Sequence, residues 1–197
     1  MTTSTLHAAG IADRLAQPVP ALSLAVFRIA LGAMLVWDCW RFIKYDRIWR
    51  YWVAPEFHFT YPGFHWVQPL PEPWIQIAWL AMGLFALMVM LGLFYRAAIV
   101  ALTVSFSYFF LLDKAEYLNH FYLVILFLVL MCFLPAHRAL SLDARLFPRA
   151  AGTHVPYASV FMLRAQMEIM LIYAGLVKLT PDWLAGEPLG MWLRGQA

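Results

Sequence analysis

Charge is scarce in this chain. Of 197 residues only 13% are Asp, Glu, Lys or Arg, while 63% are hydrophobic. A soluble domain of ordinary composition carries about twice that charge, so the chain reads as a membrane protein in which lipid replaces most of the water-facing surface. Fourteen basic residues against eleven acidic ones leave a formal charge of +3, and no Lys/Arg cluster is interleaved with polar surface, so nucleic-acid binding finds no support. Cysteine is nearly absent: Cys39 and Cys132 sit within or at the edge of apolar runs, no CxxC occurs, and both are expected to be free, buried thiols without a metal or disulfide role. GxGxxG, Walker, GxSxG and HExxH patterns are missing, as is any internal repeat. Residues 1–20 contain an acid and a base but no apolar core, so they read as a tail, not a cleavable signal peptide, and targeting is expected from the first membrane helix.

What remains is a series of apolar runs broken by a few polar groups. After Pro18 and Pro20, Ala21 to Trp40 is long enough to span, with Arg28 near its start and Asp38 near its end. Basic residues at 41, 44, 47 and 50 among Trp and Tyr predict an interfacial helix on the headgroups. Residues 51–73 carry Pro55, Pro62, Pro69, Pro71 and Pro73 among many aromatic rings, which excludes a long regular helix and predicts an ordered aromatic loop at the membrane surface. His58 and His65 in that loop lack ligand-spaced partners beyond Glu56, so no metal is expected.

Trp74 to Phe94 and Ala97 to Leu112 read as the second and third spans, joined through Tyr95 and Arg96. The polar patch from Asp113 to His120 precedes a fourth span, from about Leu118 to Leu134, whose first turn contains Asn119 and His120. Capping or an interfacial hydrogen bond is the ordinary role for a histidine there, and proton chemistry is the other. A loop at 135–156, with Arg138, Arg145 and Arg149, leads to the fifth span.

That span, Phe161 to Trp183, is apolar yet contains Arg164, Glu168 and Lys178. On one helix, Glu168 and Lys178 would lie about 40° to either side of Arg164, and Arg164 to Lys178 would cover about 21 Å. The Arg164/Glu168 spacing suits an i,i+4 ion pair, and Lys178 is either a lysine reaching to the headgroups or a functional amine. Apolar surroundings disfavour an ammonium ion, and a free amine can act as a base.

Five alternating spans place the aromatic loop, the 113–120 turn and the Lys178 end on one face. The Arg96 link and the 135–156 loop fall on the other. Those two loops and Arg14 favour a cytoplasmic N-terminus, while the basic stretch at 41–50 opposes it, so charge counting is nearly balanced. The expected fold is therefore an all-α integral membrane helical bundle of about five transmembrane helices with an aromatic, Pro-rich interfacial loop. Residues 1–20 form its tail and 21–197 its membrane domain.

The stretches FRIALGAMLVWD, LGLFYR, SYFFLLDKAEYLNHFYL, FLPAHRALSLDARL and LRAQMEIMLIYAGLVKLTPDWLAGEPL occur in order over nearly the whole chain. In them the chain resembles the membrane domain of the vitamin K-dependent gamma-carboxylase family, including its bacterial members. The resemblance implies a lyase-class membrane enzyme, in a bacterial inner membrane. It would use reduced vitamin K or a menaquinone-type hydroquinone, with dioxygen and carbon dioxide as co-substrates and no metal, to carboxylate glutamate in a protein substrate. It implies Lys178 as the base that deprotonates the hydroquinone, with Asn119 and His120 as cofactor-binding partners and His120 also in a catalytic role. Family enzymes continue into further helices and an extramembrane domain, which have no counterpart here. The first-loop cysteine of vertebrate enzymes also has none among residues 51–73, so their tethering disulfide is not expected. The rival readings are a truncated, non-catalytic scaffold or quinone-binding module and, more remotely, a small transporter using Arg164 and Glu168.

Overall fold

The computed structural model describes residues 10–195; the part of the predicted tail at 1–9 lies outside the described residues. A short helix α1 (Ile11–Ala16) and strand β1 (Pro18–Pro20) lead into the long helix α2 (Leu22–Lys44). Helices α3 (Trp74–Leu91), α4 (Tyr95–Leu111) and α5 (Asn119–Phe133) follow. A short helix α6 (Leu142–Leu146) and strand β2 (His154–Pro156) precede α7 (Tyr157–Leu176), α8 (Pro181–Leu184) and α9 (Glu187–Arg194). The chain divides into two compact units, one ending at Val160 and one beginning at Phe161.

Among the described residues, α2, α3 and α7 are long and apolar enough to cross a membrane, and α4 and α5 are shorter apolar helices. The chain is thus an integral membrane protein with an all-α bundle.

In the first unit, α2 packs on α3, α3 on α4 and α4 on α5, each helix burying a stripe at spacings of three and four residues. The α3 stripe is Ile75, Trp79, Met82, Ala86 and Val89; that of α4 is Tyr95, Ile99, Leu102, Phe106 and Phe109. Where α2 meets α3 the backbones approach closely, because a Cβ on Gly32 would lie 2.7 Å from the backbone of Met90. Strands β1 and β2 pair antiparallel, with Val19 opposite Val155.

Three boundaries differ from those expected, each for a local reason. The link between the second and third spans lies at residues 92–94, not at Tyr95 and Arg96. Gly92 at φ +65° ends α3 with Gly92 N donating to Val89 O (3.1 Å) and Leu93 N to Met88 O (2.9 Å), a Schellman arrangement. The basic stretch from Arg41 to Arg50 is not one interfacial helix. α2 runs through Lys44, Asp46 turns the chain at φ +50°, and a π turn occupies Trp49–Val53. The fifth helix ends at Leu176 because a new helix starts close behind it: the Thr180 hydroxyl accepts from Trp183 N (3.4 Å) and Pro181 takes the first helical position of α8.

Candidate functional site

Within the first unit, aromatic side chains from several elements close around a narrow, partly open cavity. Phe42 comes from the last turns of α2, Trp52 from the π turn, Trp79 from α3 and Phe109 from α4. Their rings support one another. Phe42 stacks on Trp79 with centroids 4.6 Å apart, Trp52 lies 5.2 Å from Trp79 and 5.1 Å from Phe109, and Trp79 Nε1 donates to Cys39 O (3.2 Å). Phe106, Phe110 and Phe121 complete the walls. Flat, rigid rings of this kind favour a flat ligand.

Asp38, Arg47 and Glu116 also line the cavity. Asp38 is one of two charged groups in the first predicted span, and its closest ionic contact is Arg41 Nη1 at 3.9 Å. The guanidinium of Arg47 lies 5.4 Å from the Phe42 ring centre. Glu116 sits in a single 3-10 turn (Lys114–Glu116), where burial and then the nearby Asp113 push its carboxyl above the ordinary range.

Leu118 and Phe121, also lining residues, flank the predicted pair Asn119 and His120. Both lie exposed in the first turn of α5, where the sequence placed them. The His120 ring packs edge-on against Phe121 at 4.7 Å. The structure therefore brings the Asn119/His120 turn to the border of the aromatic cavity.

The turn before α5 is held from the aromatic loop. Asp113 is buried, and its carboxylate accepts from Phe59 N (3.3 Å) and Ala115 N (2.8 Å) while lying 3.1 Å from His58 Nδ1. Lys114 N donates to Phe59 O (2.7 Å), and Tyr61 stacks on Phe110 at 5.5 Å. The Tyr61 phenol is raised by burial, with Tyr117 and Asp113 adding to the effect. His65 pairs instead with the Thr60 hydroxyl at 2.8 Å. Among the described residues no three His, Cys, Asp or Glu side chains gather at metal-binding spacing.

Lys178 belongs to the second unit. It lies exposed in the turn after α7, where Lys178 N donates to Gly175 O (3.1 Å), and its ammonium group sits 5.2 Å from the Trp183 ring centre. The helical stripe expected from Arg164 through Lys178 therefore reaches only Glu168, whose Oε1 is 3.5 Å from Arg164 Nη2.

Sequence reasoning named Asp38 and the 113–120 patch without giving Asp38, Arg47 or Glu116 a role at a site. The available signal was an aspartate that an otherwise apolar span carries at a cost. Residues 16–197 match the family model of the HTTM domain. No solved structure matches the chain.

Proposed function

We propose, since the chain belongs to the HTTM domain family, the membrane domain found in vitamin K-dependent gamma-carboxylases and related proteins, that it is a hydroquinone-using, carboxylase-like membrane protein. The observation that carries this reading is the aromatic cavity bordered by the Asn119/His120 turn. Its aromatic walls suit the faces of a reduced vitamin K or menaquinone ring, and Asn119 and His120 at its border would offer hydrogen bonds to that ring.

The chemistry supplied by such a ring is the oxidation of hydroquinone to quinone epoxide by dioxygen, which drives the replacement of a glutamate γ-hydrogen by carbon dioxide with release of one water. Lys178 is assigned as the base that takes a ring hydroxyl proton, a task that needs a neutral amine. Asn119 and His120 are assigned as the residues that would hydrogen-bond a ring oxygen, and His120 would also offset negative charge there. The aromatic walls exclude water from the ring. A glutamate-containing protein is the second substrate, and a bacterial inner membrane with the N-terminus in the cytoplasm is the setting.

The second reading, a quinone-binding module without catalysis, is favoured by one observation: every lining residue of the cavity lies in the first unit, so ring binding needs no residue beyond Val160. One assay separates the two. Membranes containing the full chain, given a naphthohydroquinone under air, are expected to form epoxide, and a Lys178→Ala variant is expected to form none. Ring binding without epoxide in the parent chain would leave the binding module standing, and absence of both would overturn both readings.

A further inference from the structure

The cavity walls are aromatic, whereas Asp38, Arg47 and Glu116 give it charge. Among the described residues Asp38 has no hydrogen-bond donor. Its one ionic contact, Arg41 Nη1 at 3.9 Å, is beyond hydrogen-bond reach. A carboxylate placed in a membrane helix beside aromatic rings and left without a donor is costly, and the charges of Arg41 and Arg47 offset only the Coulomb part of that cost. The two carboxylates line the cavity together with Arg47 and the unpaired Nε1–H of Trp52, and a carboxylate oxygen is an acceptor for a hydroxyl.

An acceptor at the Asp38 position distinguishes the two redox forms of one ring. A hydroquinone carries two O–H donors. A quinone or its epoxide has none, and offers only oxygen lone pairs. Resting on the reading of the cavity as a ring site, we infer that Asp38, supported by Glu116, makes the cavity selective for the reduced ring. The carboxylates accept hydrogen bonds from ring hydroxyls and repel the carbonyl and epoxide oxygens that replace them. Binding and release then follow from the same two side chains: the substrate is held by its hydroxyls, and the oxidised product, having lost them, is pushed out. Arg47 limits the negative charge of the site and cannot accept from a hydroxyl, so it does not cancel the preference.

The test uses the purified full chain in nanodiscs, without oxygen, titrated with 2-methyl-1,4-naphthoquinone and separately with its hydroquinone. The hydroquinone is expected to bind at least about tenfold tighter, the scale of one hydrogen bond to a charged acceptor. Asp38→Asn is expected to weaken hydroquinone binding by about tenfold while leaving quinone binding unchanged or stronger, since an amide can donate. Retained quinone binding also reports that the variant is folded. Glu116→Gln, on an exposed turn, is expected to act in the same direction but less. Equal affinities of the parent chain for both forms would overturn the inference and leave the ring site standing. Binding of neither form would overturn the ring site as well. Because the parent chain alone gives the decisive ratio, the result does not depend on any variant folding.

Discussion

The guanidinium of Arg28 lies against the α-carbon of Gly92, so that a Cβ there would overlap Nη1. The arginine is fully buried. Its Nη1 donates to Val89 O (2.9 Å) and Met90 O (3.0 Å), and its Nη2 to Leu140 O (2.5 Å), so it ties two carbonyls at the end of α3 to one in the loop after α5. Gly92→Ala must meet that contact and also hold an alanine at φ +65°, a strain of about 1–2 kcal/mol on its own. Arg28→Lys keeps the charge, but a single ammonium lacks the fork that reaches three carbonyls. Both variants are expected to lower the thermal midpoint of the detergent-solubilised protein, measured by intrinsic fluorescence. An unchanged midpoint in both would refute the clamp.

Asp113 makes a second clamp at the opposite end of the same bundle. Removing its carboxylate strips Phe59 N, Ala115 N and His58 of a partner at once. Asp113→Ala is expected to cost about 1–3 kcal/mol, the usual penalty for unpairing a buried polar group. It is also expected to open residues 54–73 to protease before the rest of the chain, because the loop loses the ties that hold it to the 113–120 turn. Cleavage in that loop at the parental rate would show that the aromatic contacts alone hold it.

The five apolar helices were legible because composition alone forces them: with so little charge, runs of about twenty apolar residues have nowhere else to go. The Asn119/His120 turn was legible for the converse reason, as the most polar patch between two such runs. The cavity was not legible. Phe42, Trp52, Trp79 and Phe109 come from four elements separated by up to dozens of residues, and no spacing rule links them. Lys178 was placed on a helix that periodicity would continue. A Thr-Pro pair two residues further on starts a new helix instead, and local capping outweighed the pattern. Asp46 broke the basic helix in the same manner, through one residue at positive φ.

His137 supplies a pH dependence. Its imidazole lies below the ordinary value of 6.5, chiefly through burial and then through Arg96, with Arg138 and Arg28 acting in the same direction and Asp143 opposing them. Its ring stacks on Tyr95 at 5.5 Å, and its Nδ1 is buried without a partner. A folded value below the unfolded one means that the unfolded chain binds more protons in the interval between them, so stability rises with pH there. The contribution is complete above about pH 6.5 and is lost as the pH falls through the folded value. The thermal midpoint is expected to fall on acidification below about pH 6.5, and His137→Phe, which keeps a stacking ring, is expected to flatten that part of the curve. An identical slope in the variant would assign the dependence to another group.

Membrane topology follows from pairings inside the first unit. The ladder joining Val19 to Val155 puts the segment before α2 and the segment after α5 on one face, which requires an even number of crossings between them. α2 and α3 are long enough to cross, and the shorter apolar helices α4 and α5 bring the expected number to four. Arg28 and Asp143 gather the 92–94 link and the 140–143 segment at that face, the latter through Phe94 N and Tyr95 N donating to the Asp143 carboxylate (2.7 and 2.8 Å), while Asp113 and His58 join the two connections of the opposite face. Thr60 and Thr153 are therefore expected on opposite sides. In a chain with Cys39 and Cys132 changed to alanine, single cysteines at these positions would be offered an impermeant maleimide in intact cells. With the N-terminus in the cytoplasm, Thr60→Cys is expected to label at once and Thr153→Cys only after permeabilisation. The reverse pattern would invert the protein and keep the four crossings, whereas labelling of both from outside would remove a crossing and contradict the ladder.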